Sequence, residues 1–90
     1  MFKTLEELIN VIRQRKKSSV EESYTKKLLI NKKLSVEKVK EEIVELIDSI
    51  EKNSNKIHES ADVLYHLMVL LEANDIKIED VMDELKKRQK

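Results

Sequence analysis

The chain reads as all-α: a bundle of about five helices built around a central antiparallel helical hairpin. Three observations carry that reading. Glycine and proline are both absent, which removes the usual residues of tight turns, while Leu, Glu and Lys, all good helix formers, are abundant. Apolar residues recur at intervals of three and four along most of the chain. Short polar breaks, Asn53-Ser54-Asn55 and Asn74-Asp75, cut that pattern into helix-length pieces.

The first helix is expected to start at Thr4, because Thr4-Leu5-Glu6-Glu7 has the form of a capping box and Leu5, Leu8, Ile9 and Ile12 follow at helical spacing. It runs to about Arg15, and Arg15-Lys16-Lys17-Ser18 reads as a connection. Ser19-Val20-Glu21-Glu22 is a second capping box, predicting a helix through about Ile30 with Asn31 as its stop. Ser35 is the expected cap of a third helix, on which Val36, Val39, Ile43, Leu46, Ile47 and Ile50 draw an apolar stripe. A fourth helix spans Lys56 to Ala73, and the short connection makes it the antiparallel neighbour of the third. Ile78, Val81, Met82 and Leu85 mark a final helix ending in Lys86-Lys87-Arg88, where cations suit the negative end of the helix dipole.

Ninety residues make one domain, residues 1–90, and a domain this small buries a modest fraction of its surface, so self-association is a natural supplement. Without cysteine, any metal must be held by oxygen or imidazole nitrogen. No apolar run reaches the roughly 18 residues of a membrane span, and Met1 to Leu8 lacks the uninterrupted apolar stretch of a signal peptide. A soluble, cytoplasmic protein is expected. Eighteen basic residues balance eighteen acidic ones and are interspersed with them, so neither nucleic acid nor a membrane is an expected partner.

The stretch His58 to Leu71 carries the chemistry. From Val63 onward it is nearly all apolar, as in a buried helix, yet Glu59, Asp62 and His66 sit on it at spacings of three and four. Ionised carboxylates are costly to bury without a partner. On the preceding helix Lys38, Glu42, Glu45 and Ser49 share a stripe, with Glu41 beside it. In an antiparallel hairpin Glu42, Glu45, Glu59 and Asp62 can therefore meet. Like charges that close repel unless a cation is present, and carboxylate oxygens suit Mg²⁺ or Mn²⁺, the former commonly sharing its shell with substrate phosphates. Blander accounts stay open. In a chain that is 40% charged, Glu41, Glu42 and Glu45 could form a solvated face. Glu59 and Asp62 could simply favour the positive end of their helix. His66 reads as a packed, hydrogen-bonded histidine and Tyr65 as wall.

Lys38 through Glu45, with Glu41-Glu42 and Glu45, followed by Glu59-Ser60-Ala61-Asp62 and Val63-Leu64-Tyr65-His66, resembles the Glu-Glu-x-x-Glu … Glu-x-x-Asp pattern of the all-α, MazG-like nucleotide pyrophosphohydrolases. Within them the chain is similar to the phosphoribosyl-ATP pyrophosphatase family. Leu5-Glu6-Glu7-Leu8, Val11-Ile12, Arg15-Lys16, Glu21-Glu22-Ser23-Tyr24-Thr25 and Leu28-Leu29 match its N-terminal half, and Asp80 to Leu85 with Arg88 its last helix. There are departures: Lys40 stands where the family usually has Gly, Val20 where it often has Pro, and Asn31 to Glu37 lacks the family's usual Gly and is about one residue shorter.

The resemblance implies hydrolysis of phosphoribosyl-ATP to phosphoribosyl-AMP and pyrophosphate, the second step of histidine biosynthesis, in a homodimer. Mg²⁺, with Mn²⁺ as a substitute, would be held by Glu42, Glu45, Glu59 and Asp62. Glu41, or whichever of the four is least engaged by metal, would serve as general base. Lys38 is the candidate phosphate contact, unless it merely pairs with Glu42 one turn on; Ser23, Tyr24, Thr25 and Lys26 are candidates for recognising the phosphoribosyl group. Two competing expectations are a housekeeping hydrolase of non-standard nucleoside triphosphates and a non-catalytic helical assembly module.

Overall fold

The computed structural model describes residues 1–89. Five helices follow one another: α1 (Lys3–Arg15), α2 (Tyr24–Ile30), α3 (Lys32–Lys52), α4 (Lys56–Ala73) and α5 (Ile78–Arg88). There is no strand among the described residues. The α3/α4 hairpin forms the largest interface, with α1, α2 and α5 gathered on α4. No helix among the described residues is long and apolar enough to cross a membrane.

Three expected helix starts are displaced, each for an identifiable reason. α1 begins at Lys3 rather than Thr4, and the Phe2 carbonyl, not a threonine hydroxyl, receives the first amides, from Leu5 and Glu6. Ser19 does accept from the Glu22 amide at 3.3 Å, but this closes only an isolated turn. Ser23 then adopts an extended conformation and takes over as N-cap, accepting from the Lys26 amide at 3.1 Å, so α2 is seven residues long. The cap of α3 lies four positions before Ser35: it is Asn31, whose Oδ1 accepts from the Leu34 amide at 3.0 Å. Ser35 lies buried one turn inside, where its hydroxyl donates to the Leu28 carbonyl and ties α3 to α2. Asn31 thus ends one helix and begins the next.

Without glycine, the left-handed positions at the helix ends fall to Asn and Asp, the residues that tolerate them best. Asn53, Asn55 and Asp75 have φ of 53°, 55° and 58°. After Asn53 the Ser54 amide reaches back to the Ser49 carbonyl at 2.9 Å, and after Asp75 the Ile76 amide reaches Leu71 at 2.9 Å. These wide-ring bonds satisfy carbonyls that the helix ends would otherwise orphan.

The core lies at the end of the hairpin remote from its turn. Ile12, Leu28, Leu29, Met68, Val69 and Ala73 are buried together, with Leu5, Leu8, Ile9, Leu34 and Leu71 packed around them. Each fully buried aliphatic side chain contributes about 2 kcal/mol by leaving water. Toward the turn the packing inverts. The apolar stripe expected to cement α3 against its neighbour buries only Val39; Ile43, Ile47 and Ile50 face outward, as do Ile57 and Leu64 of α4, with Ile57 88% exposed. The buried residues of α3 are instead Ser35, Val39, Glu42 and Ser49. A largely polar face is turned inward.

α5 buries no residue completely. It is held partly by charge: Arg13 on α1 makes a forked pair with Glu79, at 2.7 and 3.0 Å, while its Nε approaches Glu72 at 3.4 Å, and Lys16 reaches Glu72 at 2.7 Å. The bond from Arg13 holds the Glu79 carboxyl down at about 2, below its ordinary 4.5. A carboxyl depressed in the folded state adds stability that is present above its unfolded pKa and lost as pH falls through the folded value. The wild type is therefore expected to lose thermal stability between about pH 4.5 and about pH 2 more steeply than Arg13→Gln, in melting curves recorded across that window. Parallel curves for the two proteins would contradict the clamp.

Candidate metal and phosphate site

The inward face of the hairpin is a line of titratable groups. The two helices are antiparallel, so Glu45 comes beside Glu59 near the turn and Glu42 beside Asp62 and His66 farther along. Glu41, Glu42 and Glu45 offer oxygens that lie within 4.8 Å of one another, and from α4 a ring nitrogen of His58 and oxygens of Glu59 and Asp62 lie as close together. Glu45 joins the two sets, since it is close enough to act on both Glu42 and Glu59.

This arrangement is uncomfortable as it stands. Glu42 is only 8% exposed, and its Oε2 is buried with no hydrogen-bond partner; the Oε2 of Glu59 is in the same condition. Burial pushes the Glu42 carboxyl up, the adjacent Glu45 pushes it further, and His66 pulls the other way. Glu59 is likewise raised by burial and then by Glu45. Glu42 is buried, Glu59 and Asp62 are half-buried and Glu45 is exposed at the rim; two orphaned acceptors in such a cluster fit a hard cation, whose charge offsets both the repulsion and the missing hydrogen bonds.

The remaining candidates fall in different places. Glu41 is exposed and pairs with Lys38 at 3.4 Å, so Lys38 finds its helical partner at i+3 rather than in Glu42 at i+4. Tyr24 is the one member of Ser23 to Lys26 that meets the line: its hydroxyl lies 3.4 Å from Nε2 of His66, near Lys38. Ser23 is buried as the α2 cap, Thr25 is hydrogen-bonded to the Tyr65 hydroxyl, and the Lys26 ammonium donates to the Lys16 carbonyl. Tyr65 is more than wall, since it anchors α2 through that bond and stacks edge-on against His66 at 4.9 Å. His66 is buried and hydrogen-bonded, as its setting in an apolar run suggested.

Sequence reasoning passed over His58. Its Nε2 lies 3.4 Å from Asp62 Oδ2 across one helical turn, at the rim of the acid cluster. The signal was the i,i+4 spacing of His58 and Asp62, obscured because the apolar run that drew notice begins later.

Comparisons with known proteins place the sequence in a family. The family model for phosphoribosyl-ATP pyrophosphohydrolase matches residues 5–89. A phosphoribosyl-ATP pyrophosphatase of Clostridium novyi is 46% identical over 92 residues, covering 96% of this chain and 81% of that protein. One of Allorhizobium ampelinum is 43% identical over 88 residues, covering 94% of this chain and 85% of that protein. The histidine biosynthesis bifunctional protein HisIE of Pyrococcus furiosus is 45% identical over 87 residues, but this chain spans only 41% of its length. With the match running through all five helices and both acidic segments, the chain belongs to the phosphoribosyl-ATP pyrophosphohydrolase family.

Proposed function

We propose that the chain hydrolyses phosphoribosyl-ATP to phosphoribosyl-AMP and pyrophosphate, a step of histidine biosynthesis. The observation that supports this most is the pair of buried, unpartnered carboxylate oxygens on Glu42 and Glu59, which face a partly buried cluster of acids between two helices. Glu42, Glu45, Glu59 and Asp62 would hold Mg²⁺, or Mn²⁺ in its place. The ion supplies positive charge to phosphate oxygens and to the charge developing as pyrophosphate leaves.

The protein's own groups do the rest. Rigid placement of the acids on two packed helices keeps the reacting phosphate and the attacking water in line. Water attacks phosphorus, the bridging P–O bond breaks toward pyrophosphate, and the proton passes to a carboxylate. That base is Glu41 or whichever of the four ligands is least engaged; Glu41 is exposed, with Oε2 beside Lys38. Lys38 offers its ammonium to phosphate. A homodimer belongs to the same reading, because Ile43, Ile47, Ile50, Ile57 and Leu64 form an outward apolar face on the hairpin that bears the site.

Three tests follow from this reading. With Mg²⁺, phosphoribosyl-ATP is expected to outcompete ordinary and damaged nucleoside triphosphates in a pyrophosphate-release assay, and Glu42→Gln and Asp62→Asn to lose at least about a hundredfold in kcat/KM, comparable to removing a group that stabilises the transition state. Retained turnover in both variants would refute the site, and preference for ordinary or damaged triphosphates would move the reading to a housekeeping hydrolase. Mg²⁺ should raise the melting temperature, the linkage reaching about 2.7 kcal/mol at a hundredfold excess over Kd. Glu42→Gln should lose that gain while melting no lower than the wild type without metal, because it removes repulsion; a metal-free melting point well below the wild type's would argue against the repulsive cluster. Finally, Ile47→Lys is expected to halve the mass measured by light scattering, and an unchanged mass would place any self-association elsewhere.

A further inference from the structure

His58 is left unused by the chemistry above, yet it brings a donor type that the acids lack. In His58-Glu59-Ser60-Ala61-Asp62 an imidazole and a carboxylate stand four residues apart, so they lie over one another on one face of α4, with Glu59 beside them. Helices present two donors to one metal ion at this spacing. A ring nitrogen of His58 and one oxygen each of Glu59 and Asp62 all lie within 4.8 Å of one another, and Nε2 of His58 is 3.4 Å from Oδ2 of Asp62. A hydrogen bond would be shorter, at about 2.7 to 3.2 Å. Two donors on one ion, with bonds of about 2.1 Å, are about 3.4 Å apart at the tetrahedral angle and about 3.0 Å apart at a right angle. His58 and Asp62 thus stand at the separation of two ligands of one ion.

A plain helical ion pair is the competing account of this contact. It explains little, because the side chains are 73% and 37% exposed and such pairs are weak. It also leaves Glu59 out, whose Oε2 is buried without a hydrogen-bond partner, as is the Oε2 of Glu42 on α3, a residue only 8% exposed. Those orphaned oxygens ask for a cation independently of His58. We infer that His58 is a further metal ligand: with Glu59 and Asp62 it makes the rim of the cluster a mixed nitrogen and oxygen site that favours a borderline first-row ion of the Zn²⁺ type over Mg²⁺. Carboxylates alone suit Mg²⁺, whereas imidazole suits the later first-row ions. The inference rests on the proposed metal-dependent hydrolase reading and names the class of ion that its site selects. Three protein donors leave positions on the ion open to water and to a phosphate oxygen. Nothing here depends on the charge of the free ring, because a metal ion displaces a proton from the nitrogen it binds.

The test uses the full chain and two probes, Zn²⁺ and Mg²⁺ alone. The chain has two histidines, so ¹⁵N NMR of the imidazoles separates His58 from His66. One equivalent of Zn²⁺ is expected to shift a ring nitrogen of His58, and excess Mg²⁺ to reverse the shift by competing for the shared acids. In titration calorimetry His58→Leu should lower Zn²⁺ affinity at least about tenfold while changing Mg²⁺ affinity less than about twofold. Asp62→Asn should weaken the His58 response to Zn²⁺, which an adventitious ion on an exposed histidine would not require. A silent His58, a response unchanged in Asp62→Asn, or equal losses of Zn²⁺ and Mg²⁺ affinity in His58→Leu would overturn the inference. Pyrophosphate release from phosphoribosyl-ATP, measured in parallel with each ion, separates the two failures. A wild type inactive with both ions sinks the hydrolase reading, whereas an active one whose His58 stays silent sinks the added ligand alone.

Discussion

Mutual repulsion among Glu42, Glu45, Glu59 and Asp62, held across the α3/α4 interface, is the constraint to which the rest of the molecule answers. Two of these carboxylates are raised by burial and then by Glu45, and two oxygens in the cluster have no hydrogen-bond partner. A hairpin glued at that point by its own contacts would be poorly glued. The adhesive contacts lie elsewhere, in the apolar core where α4 meets α1 and α2, and in the Ser35 hydroxyl that pins α3 to the carbonyl of Leu28. Binding energy stored in the core is what holds the acids together.

Turning a polar face inward forces the apolar one out. Ile43, Ile47 and Ile50 are the residues that an ordinary amphipathic helix would bury, and here they lie on the surface of the same helix that carries the ligands. The charges follow a related division. Although they cancel overall, ten basic and only three acidic residues lie between Arg13 and Lys40, whereas three basic and thirteen acidic residues lie between Glu41 and Leu85. Interspersion is therefore true only at short range. The sign changes between Lys40 and Glu41, inside α3 and at the proposed site, so a polyanion meets the end of a cationic segment where the carboxylates begin.

Periodicity made the five helices legible, and the i,i+3 acids on two adjacent helices made the candidate cluster legible before any coordinates. What periodicity could not reveal is which stripe of a helix faces its neighbour. For α3 the usual preference for apolar burial pointed to Ile43, Ile47 and Ile50, and the tertiary arrangement chose Val39, Glu42 and Ser49. Caps were misplaced for a related reason. Ser19 and Ser35 carry the right side chain for an N-cap, but so do Ser23 and Asn31 a few residues away, and only the backbone conformation decides between them. The contact of Tyr24 with His66 joins positions 42 residues apart, beyond the reach of any local pattern.

The joint between α2 and α3 bears on that contact. By capping α2 and α3 at once, Asn31 leaves no slack between them, and the seven-residue α2 must lie where the start of α3 puts it. That fixed placement, secured by Thr25 on Tyr65 and by Ser35 on Leu28, is what brings Tyr24 over His66. A looser, glycine-containing joint would let α2 drift, and the shortness of the joint is thus a condition for a side chain from α2 to reach a site built by α3 and α4.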